Sequence, residues 1–350
     1  MTKLLLVLAM LPVSLLMGQT YPTIGNVVRL DPRLDQLVAK DARIEVLASG
    51  FVWAEGPVWI KPGTSAVASG TSTAGYLLFS DVPKNTIYRW TAEDGCQPFL
   101  TPAGYTGLGR YSDEPGSNGL TIDAQGRLIA CEHGDRRVSA MPLAGLGGKQ
   151  TLADRYQGKR FNSPNDVVTH PNGSYYFTDP PYGLAGKEND PTRETTVFGV
   201  YRVSAKGDVL LLVSDLTRPN GLAFSPDYKT LYVAQSDLSQ PVVKAYPVLA
   251  DGSVGTGRTV FDASALVKQG LKGAPDGLKV DQQGNLWATG PGGVLVIAPD
   301  PKGGLGTLLG RIDPGEATAN CAWGNDGHTL YITADMYLCR ISVLAKGAGF

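Results

Sequence analysis

Six short segments of this chain carry a polar residue of ligand type just ahead of an apolar, strand-like run. They are Glu55-Gly-Pro-Val-Trp, Asn118-Gly-Leu-Thr-Ile-Asp, Asn165-Asp-Val-Val, Asn220-Gly-Leu-Ala-Phe, Asp276-Gly-Leu-Lys-Val-Asp and Asn320-Cys-Ala-Trp. Two carboxylates and four amides, with no His or Cys at these places, make a hard oxygen set. Such a set suits one divalent cation, Ca²⁺ first, with Mg²⁺ or Mn²⁺ as alternatives and Zn²⁺ the least natural. Asn-Gly and Asp-Gly are also ordinary turn signals. Turn formation does not call for the Glu at position 55, and the varied chemistry at one repeated place points to a ligand ring.

The spacing says what must position these residues. Subtracting neighbouring positions gives intervals of 63, 47, 55, 56 and 44 residues, close to the ~40–50 residues of a β-propeller blade. Each phrase is followed by two to three further strand candidates, such as 174–178, 199–204 and 209–214 in the third unit. The fifth unit offers 285–289, 293–298 and 307–311. Turns at 123–126, 171–173, 225–227 and 281–284 join first strand to second. Helical periodicity is missing over any long window, and 262–269 allows at most a short helix. The expected fold is all-β, a six-bladed β-propeller. Its last unit lacks a fourth strand, and residues 42–49 form an unassigned strand, so this N-terminal strand is expected to complete the last blade and close the ring. In a propeller the first strand of each blade lines the central channel. Glu55, Asn118, Asn165, Asn220, Asp276 and Asn320 then converge at one channel mouth.

Composition narrows the partners. The chain has 350 residues, with 31 Lys+Arg against 32 Asp+Glu. No concentrated basic face is available for nucleic acid. Lys3 followed by the apolar run 4–16 and the small residue Gly18 reads as a signal peptide over residues 1–18, with a single propeller domain over 19–350. The run is too short to span a bilayer, which needs ~20 apolar residues, so no membrane insertion is expected. The protein is expected to be exported, to the periplasm or outside the cell. The four cysteines (Cys96, Cys131, Cys321, Cys339) match no zinc spacing and read as small buried hydrophobes rather than disulfides.

Several segments resemble the SMP-30/gluconolactonase/luciferin-regenerating-enzyme family, in particular its bacterial gluconolactonase-like branch. They are Ala54-Glu-Gly-Pro-Val-Trp59, Ser117-Asn-Gly-Leu120, Cys131-Glu-His-Gly134, Asn162-Ser-Pro-Asn-Asp-Val-Val168, Tyr176-Phe-Thr-Asp-Pro-Pro-Tyr-Gly183, Arg218-Pro-Asn-Gly221 and Pro275-Asp-Gly-Leu278. The resemblance implies a metal held by Glu55, Asn165, Asn220 and Asp276, with a small-molecule site above it that includes Asn118. It implies a substrate contact for Arg160, although the Arg-Phe-Asn-Ser-Pro-Asn-Asp motif is longer here than in the family.

The expected activity is hydrolysis of a sugar lactone of gluconolactone type. A lactone is a cyclic ester, and opening it needs a polarised carbonyl, an activated water and a stabilised oxyanion. A bound dication supplies polarisation and lowers the pKa of water. A carboxylate beside it takes the proton: Asp276 is the candidate base and Glu55 the candidate ligand, with the reverse assignment open. His133 either binds substrate in the channel or is a hydrogen-bonded turn histidine, and the resemblance favours the first. Tyr182 walls the pocket or shapes a turn. His170 and His328 read as surface residues, and Asp166 and Asp179 as loop braces. No Gly-x-Ser-x-Gly elbow, His-Glu-x-x-His, phosphate loop or dinucleotide fingerprint occurs. Two alternatives stay open: a hydrolase of another ester at the same metal site, and a non-catalytic propeller binding module whose metal is structural.

Overall fold

The computed structural model describes residues 20–64, 75–143 and 147–350; the expected signal peptide lies outside them. Six antiparallel sheets follow one another along the chain. Blade 1 comprises Ala54–Ile60, Tyr76–Asp81, Thr86–Thr91 and Gly95–Leu100; blade 2 comprises Ser117–Ile122, Arg127–Glu132, Arg137–Pro142 and Gln150–Ala153. Blade 3 comprises Val167–Thr169, Tyr175–Asp179, Gly199–Val203 and Val209–Val213; blade 4 comprises Pro219–Phe224, Thr230–Gln235, Val242–Pro247 and Arg258–Asp262. Blade 5 comprises Leu278–Val280, Leu286–Gly290, Gly293–Ala298 and Thr307–Asp313; blade 6 begins with Thr318–Gly324, Thr329–Ala334 and Tyr337–Ser342. The single α-helix among the described residues is Ser264–Lys268, inside the stretch where the sequence allows one.

The ring closes as expected. Ile44–Ser49 pairs antiparallel with Tyr337–Ser342, with Glu45 opposite Arg340 and Ser49 opposite Tyr337. An Arg340 Nε to Glu45 Oε2 contact of 2.6 Å ties the two chain ends together. Two further strands escaped the sequence reading. Thr23–Ile24 adds a fifth strand to blade 6, and Asn26–Arg29 adds a fifth to blade 5. The chain passes between them at Gly25, whose φ of +59° and proximity to Asp313 O (1.9 Å from an added Cβ) exclude a side chain.

Each buried cluster joins two neighbouring blades. Blades 5 and 6 share Trp287, Val294, Trp323 and Ile332, with Trp287 and Trp323 edge-to-face at 5.0 Å. Blades 6 and 1 share Tyr331, Leu338, Leu77 and Phe79, with Trp59 stacked on Tyr331 at 5.4 Å. The same holds for blades 1–2, 2–3, 3–4 and 4–5. The core is therefore a circle of interblade contacts, and ring closure completes it. The four cysteines are free, and Cys131, Cys321 and Cys339 are buried within it, as the sequence suggests.

Ile44 is 1% exposed on the closing strand and packs into the cluster shared by blades 5 and 6. Ile44→Ala is expected to cost ~2–5 kcal/mol. In denaturant melts the whole circle should lose stability in a single transition. A separate early transition, with the main midpoint unmoved, would show that closure is local.

Candidate metal centre and active site

The six ring residues sit where each inner strand leaves regular pairing. In blades 1, 2, 4 and 6 the register slips at Glu55/Val58, Ser117/Leu120, Pro219/Leu222 and Thr318/Asn320. A bulge of this kind re-aims a side chain, here from the sheet face toward the axis. In blades 3 and 5 the same places are held by paired backbone bonds, Asn165 N to Thr178 O (2.8 Å) with Thr178 N to Asp166 O (3.1 Å), and Asp276 N to Thr289 O (3.2 Å) with Thr289 N to Gly277 O (2.8 Å).

The glycine that follows most of them is explained by crowding rather than by turn geometry. Gly119, Gly221 and Gly277 have no positive φ; only Gly56 does, at +51°. A Cβ on Gly56 would meet Asn118 O at 2.0 Å, one on Gly221 would meet Asp276 O at 2.2 Å, and one on Gly277 would meet the Asn320 side chain at 2.1 Å. Gly119 N donates to Asn165 O at 2.7 Å, and Gly277 N to Ala319 O at 2.8 Å. Neighbouring blades thus touch backbone to backbone at the mouth, and the ring is drawn tight.

Glu55, Asn118, Asn165, Asn220 and Asn320 are all buried, and Asp276 is half-buried. Glu55 Oε2 accepts from Gly56 N at 2.9 Å, and the Asn320 amide also donates to Glu55 and to Asp166. Asn320 Oδ1 is taken by Cys321 N (2.9 Å) and Lys279 Nζ (3.4 Å). Asn320 therefore joins the ring as a donor and spacer. Asn220 Nδ2 donates to Ser236 Oγ (2.8 Å), which donates to Pro275 O (2.7 Å), leaving Asn220 Oδ1 as its free end. Asp276 Oδ1 and Asn118 Oδ1 are sealed from solvent without a hydrogen-bond partner.

The electrostatics are those of crowded acids. Burial pushes the Asp276 carboxyl well above the usual range, and Glu55, Asp166 and Glu114 push it further. Burial likewise raises Glu55, with Asp166 and Glu114 adding to it. A buried carboxylate without a compensating charge is costly. Unpartnered acceptor atoms beside two such carboxylates fit a hard cation, with Glu55, Asp276 and the oxygens of Asn165 and Asn220 as donors. Among the described residues no group of three or more His, Cys, Asp or Glu side chains is arranged to hold a metal, so any such centre here leans on amide oxygens.

The wall above the ring holds both expected and unexpected residues. His133 is fully buried, and its Nδ1 lies 3.2 Å from Glu114 O, so Nδ1–H donates and Nε2 is a lone-pair acceptor, with no partner. His133 is thus hydrogen-bonded at a turn and keeps one nitrogen without a partner. Tyr182 hydrogen-bonds Ser236 and feels Asp276, and burial pushes its hydroxyl up to about 12. Arg160 stands apart. Its Nη2 donates to Asp135 O at 3.2 Å, and it lines a side cleft of about 520 Å³ with Tyr105 and Tyr111. The arginine that lies near Tyr182 is Arg218, 5.9 Å from the ring centroid. Asp179 braces its loop as expected, accepting from Asn162 N and Ser163 N, both at 2.8 Å. Asp166 accepts from Val167 N at 2.9 Å; it is a brace, and also an axial charge with Oδ2 unpartnered. His170 is half-buried against Phe224 rather than on the surface. Sequence reasoning missed Glu114, Lys187 and Glu188, which lie outside the repeated phrase.

A family model described as the SMP-30/Gluconolactonase/LRE-like region matches residues 53–335. A gluconolactonase of Zymomonas mobilis is 39% identical over 332 residues, 93% of this chain and 88% of the relative. A crystallised gluconolactonase from Xanthomonas campestris superposes with a TM-score of 0.74 at 29% identity, covering 93% of this chain and 98% of the other. A regucalcin structure from Agrobacterium tumefaciens, described as a calcium-binding protein, superposes with a TM-score of 0.63 at 18% identity over 87% of this chain and 94% of the other, which supports the fold alone.

Burial lowers the His133 imidazole from its ordinary value of 6.5 to about 3. The unfolded chain therefore takes up a proton first as pH falls. The stability that neutral His133 contributes is complete above pH ~6.5 and drains by about 1.4 kcal/mol per pH unit toward pH ~3. In chemical melts between about pH 7.5 and about pH 4.5, the stability difference between wild type and His133→Gln should change with this slope, since the raised carboxyls titrate alike in both proteins. An unchanged slope in the variant would place the titration elsewhere.

Proposed function

The chain belongs to the SMP-30/gluconolactonase/LRE-like family, and we propose that it opens a sugar lactone of aldonolactone type at this channel mouth, with Asp276 as general base. The observation that carries the reading is the buried pair Glu55 and Asp276, one carboxylate held and the other with a free oxygen. The relatives named gluconolactonase support the reaction class.

Glu55, Asn165, Asn220 and Asp276 would hold the dication, and their oxygen-only chemistry favours Ca²⁺ over Mg²⁺, Mn²⁺ or Zn²⁺. When bound, such an ion polarises the lactone carbonyl and acidifies water. Glu55 receives the Gly56 N–H and the Asn320 amide, which suits a fixed ligand. Asp276 keeps Oδ1 unpartnered, which suits the base. These contacts support Asp276 as base and Glu55 as ligand.

Asp276 takes a proton from water as the water oxygen bonds to the lactone carbonyl carbon. The tetrahedral centre then collapses, the ring C–O bond breaks, and the proton passes from Asp276 to the departing ring oxygen. The product is the open-chain hydroxy acid. Asn118 Oδ1 and His133 Nε2, both unpartnered acceptors, would receive substrate hydroxyls, and Tyr182 would pack against the sugar. The bulged strands give these groups fixed places, which is the positioning that ester hydrolysis exploits.

Asp276→Ala and Asp276→Asn are each expected to lower kcat by about a thousandfold or more, with the fold retained. Proton release from a panel of sugar lactones, corrected for spontaneous hydrolysis, reads the effect. Chelator-treated wild type should fall to a similar rate and recover with Ca²⁺. Full activity in Asp276→Ala would remove the proposed mechanism, and no turnover of any lactone by folded protein would remove the substrate class.

A further inference from the structure

The channel mouth carries cations as well as acids, and each cation has an acidic counterpart. Lys187 Nζ lies 3.9 Å from Glu114 Oε1 and donates to the Tyr182 carbonyl. Arg218 Nε donates to Glu188 Oε1 at 2.7 Å, and a second contact from Nη2 makes the pair two-pronged. Deeper in the channel, Lys279 Nζ sits 3.1 Å from Leu278 O and 3.4 Å from Asn320 Oδ1, and its field offsets Asp166.

Four carboxylates share this axis: Glu55, Asp166, Asp276 and Glu114. A bound dication together with Lys187 and Lys279 balances them, and Glu188 cancels Arg218. No net positive charge is left for an anionic substituent. Recognition of a phosphate or sulfonate depends on an Arg or Lys whose donors are free to face it. Lys187 and Arg218 stand at the right place for that role: one reaches the Tyr182 backbone, and the other lies over the Tyr182 ring. Arg218 turns its donors toward Glu188 instead, and Lys187 donates to the Tyr182 carbonyl with its charge offset by Glu114, an ion-pair partner 3.9 Å away.

We propose that Glu114 and Glu188 are specificity-determining residues, which occupy Lys187 and Arg218 and so make the site select uncharged sugar lactones over lactones bearing a phosphate or sulfonate. The inference rests on the lactone-hydrolase reading and names its substrate class. It assigns neither glutamate a part in the bond-breaking step. One unit charge freed near a doubly charged substituent changes relative kcat/KM by on the order of tenfold at the effective dielectric of a partly exposed site. The effect should weaken with salt, because the mouth opens to solvent.

The test compares δ-gluconolactone with the same lactone phosphorylated on its primary hydroxyl, using calcium-loaded enzyme. Wild type should prefer the uncharged lactone by at least about tenfold in kcat/KM. Glu114→Gln and Glu188→Gln should each raise the charged-to-uncharged ratio by about tenfold, and the gain should fade between roughly 0.05 and 0.5 M ionic strength. The wild-type ratio and its salt dependence are informative even where a variant fails to fold. Equal or better turnover of the phosphorylated lactone by wild type would overturn the inference and leave the lactonase reading intact. So would an unchanged ratio in both folded variants. Turnover of neither lactone would remove the reaction itself, and the inference with it.

Discussion

The organising constraint of this molecule is the crowding of buried carboxylates on one axis. Burial raises the proton affinity of all three of Glu55, Asp166 and Asp276; Asp166 raises Glu55 further, Glu55 and Asp166 raise Asp276 further, and Glu114 adds its field to Glu55 and Asp276 from the wall. Left alone, such a cluster opposes folding, since like charges in a poorly solvated place repel strongly. The fold nevertheless spends a specific device in each blade to bring them together. Bulges turn the ring residues inward, and Gly56, Gly119, Gly221 and Gly277 let adjacent backbones meet where any side chain would collide. A bound cation would relieve this repulsion.

The circle of interblade cores makes that crowding tolerable. Each hydrophobic cluster belongs to two blades, so no blade can move its ring residue outward without opening two packed interfaces. The N-terminal segment strengthens the weakest point, where the chain ends meet. Ile44–Ser49 completes blade 6, while Thr23–Ile24 and Asn26–Arg29 cover the edges of blades 6 and 5. Rigidity at the rim and tension at the axis are therefore one property, and it is what keeps Asp276 Oδ1 unsatisfied by the chain itself.

Much of this was legible in the sequence because the ring phrase repeats at blade spacing. The order of blades, the closing strand and the identity of the axial residues all follow from it. The role of the glycines did not follow. Asn-Gly reads as a turn, and only the approach of the next blade reveals why Gly119 or Gly277 has no side chain. Asp166 occupies the place that glycine holds in blades 1, 2, 4 and 5, so its burial on the axis depends on the space left by Gly119, 2.5 Å from its Oδ1 to an added Cβ. Glu114 sits in a loop and Lys187 and Glu188 in a short 3-10 turn, all outside the repeated pattern, and the pairing of Glu114 with Lys187 is a product of tertiary packing alone. The motif around Arg160 did not show that its guanidinium would face Asp135 O in a cleft beside Tyr105 and Tyr111.

The central claim is that the Glu55–Asp276 pair exists to hold a divalent cation. Calorimetric titration of Ca²⁺ into chelator-stripped protein tests it most directly, with Glu55→Gln and Asp276→Asn run in parallel. The account predicts one saturable site in the wild type, proton release on binding because both carboxyls are raised in the metal-free protein, and loss of both signals in each variant. Saturable binding that survives both substitutions, or no binding by folded wild type to any of the four divalent ions considered, would contradict it.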